Sequence, residues 1–120
     1  MTAGVTLSTA GGLTVARVEG EITSATAPAV QERLLPLVAP SGTLLVDFSA
    51  VTYVSSAGLR MLLILYRRAQ QAEARVVIGG LSPEVRFVMS ATGFLGFFEV
   101  ADDVEGEMGR LAAEMGRVGP

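Results

Sequence analysis

The sequence contains no cysteine and no histidine, and all nine of its basic residues are arginine, so lysine is absent as well. Without cysteine, a disulfide framework and thiolate chemistry are excluded. Because cysteine and histidine are the usual ligands of zinc and transition metals, we predict no metal site. A nucleophilic serine needs a histidine or lysine to accept its proton, so a serine hydrolase is not expected either. These absences predict a protein that has no catalytic residues, needs no cofactor and is not an enzyme.

Charged residues and long apolar runs are also scarce. Charged residues make up 18% of the chain and the net charge is −3, which argues against direct nucleic-acid binding because that requires a basic face. The longest apolar run, Met61 to Tyr66, is far shorter than the roughly 18 residues of a membrane-spanning helix. The first residues lack the basic and apolar segments of a secretion signal. We therefore expect a cytoplasmic protein with no membrane span.

The hydrophobic pattern predicts a single α/β domain. The chain has 120 residues, half of them hydrophobic, which is enough for one substantial core. Apolar periodicity predicts strands over 5–9, 13–20, 43–48, 75–78 and 97–100, and helices over 25–38, 59–72, 82–92 and 103–115. The order ββαβαβαβα predicts a mixed, mostly parallel sheet of four to five strands packed by about four helices. We expect one domain over residues 1–120, with an ordered core over 4–115 and fraying over 116–120.

The segment VTYVSSAGL, residues 51–59, joins a buried strand to an apolar helix. One interpretation is structural: Ser55 or Ser56 accepts hydrogen bonds from the free N–H groups of the helix, and Gly58 allows a neighbour to approach closely. The other is functional, since loops that leave the carboxyl end of a buried strand commonly carry the sites of α/β sheets. A serine at a helix N-terminus also tolerates a phosphate, because the helix dipole and free N–H groups stabilise an anion. The residues alone leave both interpretations open.

Residues Asp47 to Leu63, DFSAVTYVSSAGLRMLL, resemble the signature of STAS-domain proteins, especially bacterial anti-sigma factor antagonists, and Gly20 to Thr23 resemble a second loop of that family. The resemblance implies a partner-switching protein that regulates sigma-factor-dependent transcription. The unphosphorylated antagonist would bind an anti-sigma factor with serine kinase activity, and phosphorylation of Ser56 would release it, with Ser55 as the less favoured acceptor. A PPM-type serine phosphatase would reset the cycle. We expect a monomer or a weak dimer.

The resemblance also implies a partner-binding surface around the two loops. Its expected members are Thr23, Ser24, Asp47, Ser55, Ser56, Ala57, Gly58, Arg60, Met61 and Ile64. Thr23 and Ser55 stand where the family frequently has aspartate. The alternative is therefore a STAS module that does not switch and instead binds a nucleotide or serves as a scaffold in a lipid-transport complex or sensory assembly.

Several side chains near this surface have a structural interpretation as well. Thr23 or Ser24 is expected to cap the helix that follows. Asp47 is expected at the end of its strand, beside the serine loop. The apolar residues Met61, Ile64 and Leu65 fit either partner contact or burial in the core. The three phenylalanines Phe94, Phe97 and Phe98 are expected in the core.

Overall fold

A five-stranded mixed sheet forms the centre of the protein, whose structure, a computed structural model, describes residues 2–10 and 13–116. The strands are β1 (Ala3–Ala10), β2 (Leu13–Ile22), β3 (Thr43–Val54), β4 (Arg75–Gly79) and β5 (Glu99–Ala101), and they lie side by side in this order. The first pair is antiparallel and the other three are parallel. The predicted mixed, mostly parallel sheet is thus confirmed. Of the fraying predicted over 116–120, only Gly116 lies within the described residues, where it is the last residue of a helix, and the rest lies outside them.

Four helices cover the two faces of this sheet and confirm the predicted order of elements. They are α1 (Ala27–Leu34), α2 (Ser56–Gln71), α3 (Pro83–Ala91) and α4 (Val104–Gly116), and short 3₁₀ turns span Leu35–Leu37 and Leu95–Phe97. Parallel strands that are neighbours in both sequence and space are joined by right-handed crossovers, so the three connecting helices α1, α2 and α3 pack on one face. Helix α4 follows the last strand and packs on the opposite face.

Each face of the sheet has its own hydrophobic core. The larger core lies under α1, α2 and α3, and includes the fully buried side chains of Ile22, Phe48, Leu62 and Met89. The smaller core lies under α4, where Leu111 packs against residues from β2, β3 and β4: Leu13, Val15, Leu45 and Val77. The two faces of β2 and β3 therefore supply alternate residues to the two cores, as strand geometry requires.

Helix α1 is shorter at both ends than the predicted helix over 25–38. It begins at Ala27, because the residues before it form a hydrogen-bonded turn that is described below. It ends at Leu34, and Pro36 lies in the 3₁₀ turn that follows. Proline has no N–H for a helical hydrogen bond and its ring clashes with the preceding turn, so Pro36 explains the early end of the helix.

Strand β3 is twice as long as the predicted strand over 43–48 and runs to Val54. Its register with β2 shifts twice, between Arg17 and Glu19 and between Gly20 and Glu21. Each shift leaves an extra residue in β3, which is the signature of a β-bulge. Bulges interrupt the alternation of inward and outward side chains, so the second half of β3 lacks the sequence pattern of a strand.

The three phenylalanines that precede β5 differ in burial, which corrects the prediction that all lie in the core. Phe98 is buried and Phe94 is half-buried, but Phe97 is 46% exposed. The ring of Phe97 lies 5.1 Å from that of Tyr66 on α2 and 6.0 Å from that of Phe94. These aromatic contacts hold the 3₁₀ turn against α2 at the surface of the protein.

An ion-pair cluster joins β4 and β5 to α4, the helix on the opposite face of the sheet from α1, α2 and α3. Arg75 at the start of β4 donates two hydrogen bonds of 2.6 Å to the carboxylate of Glu99 in β5, and a third of 3.2 Å to Glu114 in α4. The hydrogen bonds from Arg75 hold the pKa of Glu99 below its ordinary value. Both side chains remain partly exposed, so the cluster contributes modestly to stability.

Candidate functional site

The two serines of the segment 51–59 occupy different structural positions. Ser55 is the N-cap of α2: its Oγ accepts a hydrogen bond from the Gly58 N–H at 3.3 Å, and its carbonyl accepts one from Leu59. The N–H of Ser55 donates to the carbonyl of Ile22 at the end of β2, at 2.8 Å. Ser56 is the first residue of the helix and is exposed. The structural interpretation of the loop therefore holds for Ser55, and the exposed hydroxyl is that of Ser56.

Gly58 brings the start of α2 into contact with the ends of two strands. A Cβ built on Gly58 would lie 2.8 Å from Cγ1 of Val54 and 2.9 Å from Cγ2 of Ile22. Both neighbours are buried and β-branched, so neither side chain can move aside freely. The predicted close approach at Gly58 is confirmed, and it fixes the position of Ser56 relative to the sheet.

The second predicted loop is held by hydroxyl groups. The N–H of Thr23 donates to Oγ1 of Thr26 at 2.8 Å, and that hydroxyl donates to the carbonyl of Glu21 at 2.7 Å. Thr23 and Thr26 are both buried, while Ser24 between them is exposed. The residue before α1 is Thr26, and its hydroxyl binds the loop and not the helix. Thr23 caps the turn that leads into α1, because its Oγ1 accepts a hydrogen bond from the Ala25 N–H at 3.2 Å and its carbonyl accepts one from the Ala27 N–H at 2.8 Å. Of the two predicted loop residues, Ser24 is the one that reaches the surface.

A groove between α1 and α2 brings together five of the residues predicted for partner binding. It has a volume of about 420 Å³ and is lined by Ser24, Ala57, Arg60, Met61 and Ile64, together with Ala27, Pro28, Gln31 and Glu32 from α1. We call it the α1–α2 groove. The two helices carry the two predicted loops at their N-terminal ends, which is why residues that are more than thirty positions apart line one surface.

Partner contact and burial in the core were the two interpretations of three apolar residues in α2, and the structure assigns these residues to different ones. Met61 and Leu65 are buried, with exposures of 2% and 1%, so both belong to the core and Met61 forms only the floor of the α1–α2 groove. Ile64 is half-buried and faces the groove. Arg60 is exposed at its rim. Among the apolar candidates, Ile64 thus offers the accessible contact, and Met61 is accessible only through the groove.

A second hollow lies on the other side of Arg60 and was missed by the sequence analysis. Its lining is almost wholly apolar, its volume is about 350 Å³, and Ser56, Leu59, Arg60, Leu63, Thr92 and Phe94 surround it. We call it the α2–α3 hollow. Leu59 and Leu63 have the helical spacing that would place them beside Ser56, but only the fold brings Thr92 and Phe94 to the same place. Arg60 therefore lies on a ridge between the two depressions, and Ser56 lies one turn before it, at the rim of the α2–α3 hollow.

Asp47 does not flank the serine loop, which corrects the expectation for this residue. It lies inside β3 and is buried, and its Oδ1 accepts hydrogen bonds from the N–H and the hydroxyl of Ser49. The strand continues from Asp47 to Val54, which at about 3.3 Å per residue corresponds to about 20 Å. In this structure Asp47 therefore stabilises a bulged part of β3 and is remote from Ser56.

The described residues contain neither a cluster that could hold a metal ion nor a helix that could cross a membrane. Over residues 2–10 and 13–116, acidic side chains do not gather in groups of three or more that would hold a metal ion. None of the helices in this part of the chain combines the length and the apolar character that crossing a bilayer requires.

Comparison with known proteins agrees with this fold. A family model described as the STAS domain matches residues 5–107. BtrV of Bordetella bronchiseptica, whose name includes the words anti-sigma factor antagonist, is 32% identical over 102 residues, which cover 84% of this chain and 88% of BtrV. The anti-sigma-B factor antagonist of Listeria monocytogenes is 34% identical over 92 residues, which cover 76% of this chain and 80% of that protein. The crystal structure of an anti-sigma factor antagonist from Mycobacterium paratuberculosis has a TM-score of 0.72 at 28% identity, and the match covers 87% of this chain and 89% of that one.

Proposed function

This chain belongs to the STAS-domain family, and we propose that it is an anti-sigma factor antagonist whose binding to an anti-sigma factor is switched off by phosphorylation of Ser56. The partner would be an anti-sigma factor with serine kinase activity, and a PPM-type serine phosphatase would restore the binding form. The relatives named as antagonists support the class of partner. The observation that carries the choice of residue is the exposed position of Ser56 at the first turn of α2, at the rim of the α2–α3 hollow and next to Ala57, which lines the α1–α2 groove.

The two serines differ in their fitness as phosphate acceptors. The hydroxyl of Ser55 already accepts the capping hydrogen bond from Gly58, and the residue is half-buried. A kinase would have to open the helix start to reach it. Ser56 needs no such opening, because its side chain is exposed. The chain itself has no histidine or lysine, so a base on the kinase would take the hydroxyl proton while Oγ accepts the γ-phosphoryl group of ATP and ADP leaves.

The position of Ser56 also gives a physical reason for release. A phosphoserine carries about −1.5 to −2 charges at pH 7, and the first turn of α2 can hold it without unfolding because free N–H groups and the helix dipole favour an anion there. A partner that covers the apolar surfaces on both sides of the ridge would have to desolvate this charge. A loss of roughly 3–5 kcal/mol would weaken binding by about two to four orders of magnitude.

The acceptor is tested by incubation with the serine-kinase anti-sigma factor of the same organism, with ATP and Mg²⁺, followed by intact-mass and fragment mass spectrometry. We expect one phosphoryl group on the wild-type protein and on Ser55→Ala, and none on Ser56→Ala. Phosphate on Ser56→Ala but not on Ser55→Ala would identify Ser55 as the acceptor. Binding of the wild-type protein without any phosphorylation would favour the module that does not switch.

The effect of charge is tested by binding measurements with the same anti-sigma factor. Ser56→Ala should bind as the unphosphorylated protein does, and in the presence of ATP it should stay bound. Ser56→Asp should bind at least about ten-fold more weakly, because even one negative charge must be desolvated. The matched control is Ser41→Asp, which adds the same charge to an exposed serine before the first residue of β3, at the opposite end of that strand. Equal weakening by Ser56→Asp and Ser41→Asp would contradict the proposed site.

A further inference from the structure

Strand β1 is an outer strand of the sheet and lacks the usual protection of a sheet edge. It is eight residues long, AGVTLSTA, and contains neither a charged residue nor a proline. Charges, prolines and very short strands are the common means by which proteins prevent pairing at an edge. The opposite edge has such protection, since β5 has only three residues and begins with the charged Glu99. The open edge of β1 is therefore the one that can accept another strand.

The hydrogen bonds on either side of β1 show which backbone groups point outward. The carbonyl of Thr2 accepts a hydrogen bond from the N–H of Glu21 in β2, whereas the carbonyl of Val5 accepts one from the side chain of Arg33 in α1, at 3.1 Å. In an antiparallel pair, the N–H and C=O of alternate residues point to opposite edges. The even-numbered residues thus pair with β2, and the odd-numbered residues 3, 5, 7 and 9 direct their backbone groups to the open edge.

The side chains of β1 are arranged so that a further strand would cover apolar surface. Val5 is buried in the larger core, but Leu7, which lies on the same face of the strand, is 46% exposed. Thr6 and Ser8 lie on the opposite face and are exposed. A strand added at the open edge would thus shield Leu7 on one side and meet small hydroxyl residues on the other.

We propose that β1 pairs in antiparallel orientation with β1 of a second copy of this chain, around a two-fold axis at Thr6. In this register Val5 lies opposite Leu7 of the second copy, and Ala3 lies opposite Thr9. All outward backbone groups from Ala3 to Thr9 find partners, and the two five-stranded sheets become one of ten strands. The strand is its own complement here, because each exposed Leu7 meets a Val5 and no charged residues meet across the axis.

Arg33 controls access to this edge. Its Nη2 donates a hydrogen bond to the carbonyl of Val5. In the paired strands, the same carbonyl would accept a hydrogen bond from the N–H of Leu7 of the second copy. Pairing must displace the Arg33 hydrogen bond twice, once in each copy. The dimer is therefore weak in the wild-type protein, and removal of the Arg33 side chain should strengthen it.

The absence of cysteine from the chain allows the register to be tested by single-cysteine cross-linking. The groups of Thr6 point to β2, so the two Thr6 residues on the axis form a pair without mutual hydrogen bonds, with Cα atoms about 4.5 Å apart. That distance lies within the range of a disulfide. The matched variant is Ser8→Cys, on the same strand and the same face, whose two copies would lie about 13 Å apart along the strand.

We expect oxidised glutathione to convert Thr6→Cys to a covalent dimer at least roughly ten-fold faster than Ser8→Cys. Sedimentation velocity of the cysteine-free protein should show the mass rising from 12.5 kDa towards twice that value as concentration increases. Arg33→Ala should raise the association constant by about ten-fold, because two carbonyls are freed in each dimer.

Three results would overturn the proposal. Equal cross-linking rates for Thr6→Cys and Ser8→Cys would exclude this register. A sedimentation coefficient that stays that of a monomer for both the wild-type protein and Arg33→Ala, at every concentration, would exclude pairing at this edge. An Arg33→Ala dimer no stronger than that of the wild-type protein would show that the carbonyl of Val5 is not part of the contact. Circular dichroism of each variant verifies that it is folded, which the exposure of all three side chains leads us to expect.

Discussion

Replacement of Gly58 by alanine should destabilise the protein, although the same change stabilises most helices. Alanine is favoured over glycine by about 1 kcal/mol in a helix interior. At Gly58, however, the new Cβ would lie 2.8 Å from Val54, 2.9 Å from Ile22 and 3.2 Å from the carbonyl oxygen of Ile22. Overpacking of this kind costs about 1–3 kcal/mol. Because the two side chains are buried and stiff, we expect the upper part of this range and a net loss of about 1–2 kcal/mol.

The control for Gly58→Ala is Gly109→Ala in α4, where nothing outside the adjacent helix backbone lies within 4 Å of the added Cβ. This variant should be stabilised by up to about 1 kcal/mol. Urea denaturation followed by circular dichroism measures both values, and for a chain of this length the loss at Gly58 corresponds to a fall of about 4–8 °C in Tm. A Gly58→Ala protein as stable as the wild type would refute the close packing of α2 on the ends of β2 and β3.

Further predictions concern the cap, the core and the ion pair. Ser55→Ala should lose about 1 kcal/mol of the free energy of unfolding, since it removes the N-cap, while Ser56→Ala should change it by less than about 0.5 kcal/mol; equal losses in urea denaturation would contradict the different roles of the two serines. Met61→Ala should lower the free energy of unfolding by about 2–4 kcal/mol in the same assay, because the side chain belongs to the core. A loss below about 1 kcal/mol would show that the side chain does not belong to the core. Glu99→Gln should cost up to about 1 kcal/mol at pH 6. Because the pKa of Glu99 is lowered in the folded state by Arg75, the stability it adds is present above the unfolded pKa of about 4.3 and is lost as the pH falls through the lower folded pKa. The difference between Glu99→Gln and the wild type should therefore shrink at pH 3, and a difference that does not change with pH would refute the ion pair.

The sequence predicted the elements whose periodicity is regular and failed where tertiary contacts change the local pattern. Alternation and apolar runs identified the five strands and four helices that the structure describes, and their order determined the face on which α1, α2 and α3 lie. The second half of β3 was missed because two bulges interrupt its alternation. The position of Asp47 depended on that half-strand, so the error in the strand became an error in the site.

The candidate site was predicted in part for a similar reason. The serine loop and the residues of the α1–α2 groove lie near the starts of helices, where local sequence carries information about capping and small residues. The α2–α3 hollow depends on the 3₁₀ turn that places Phe94 against α2. No spacing in the sequence relates Phe94 to Ser56, which lies 38 positions earlier, so only the fold brings them together.

The two adjacent serines separate two requirements that would conflict in one residue. A capping hydroxyl must stay directed towards the helix N–H groups, as Ser55 does towards Gly58, whereas a residue that is modified in the proposed cycle must remain accessible, as Ser56 is. A serine in place of the more usual aspartate keeps the capping acceptor but adds no negative charge beside Ser56. A carboxylate at that position would repel a phosphate a few ångströms away, and a neutral cap would not. The missing carboxylate therefore does not oppose a phosphorylated state of Ser56. Its absence changes the charge that a kinase would meet at the acceptor, and so it bears on which kinase recognises the loop.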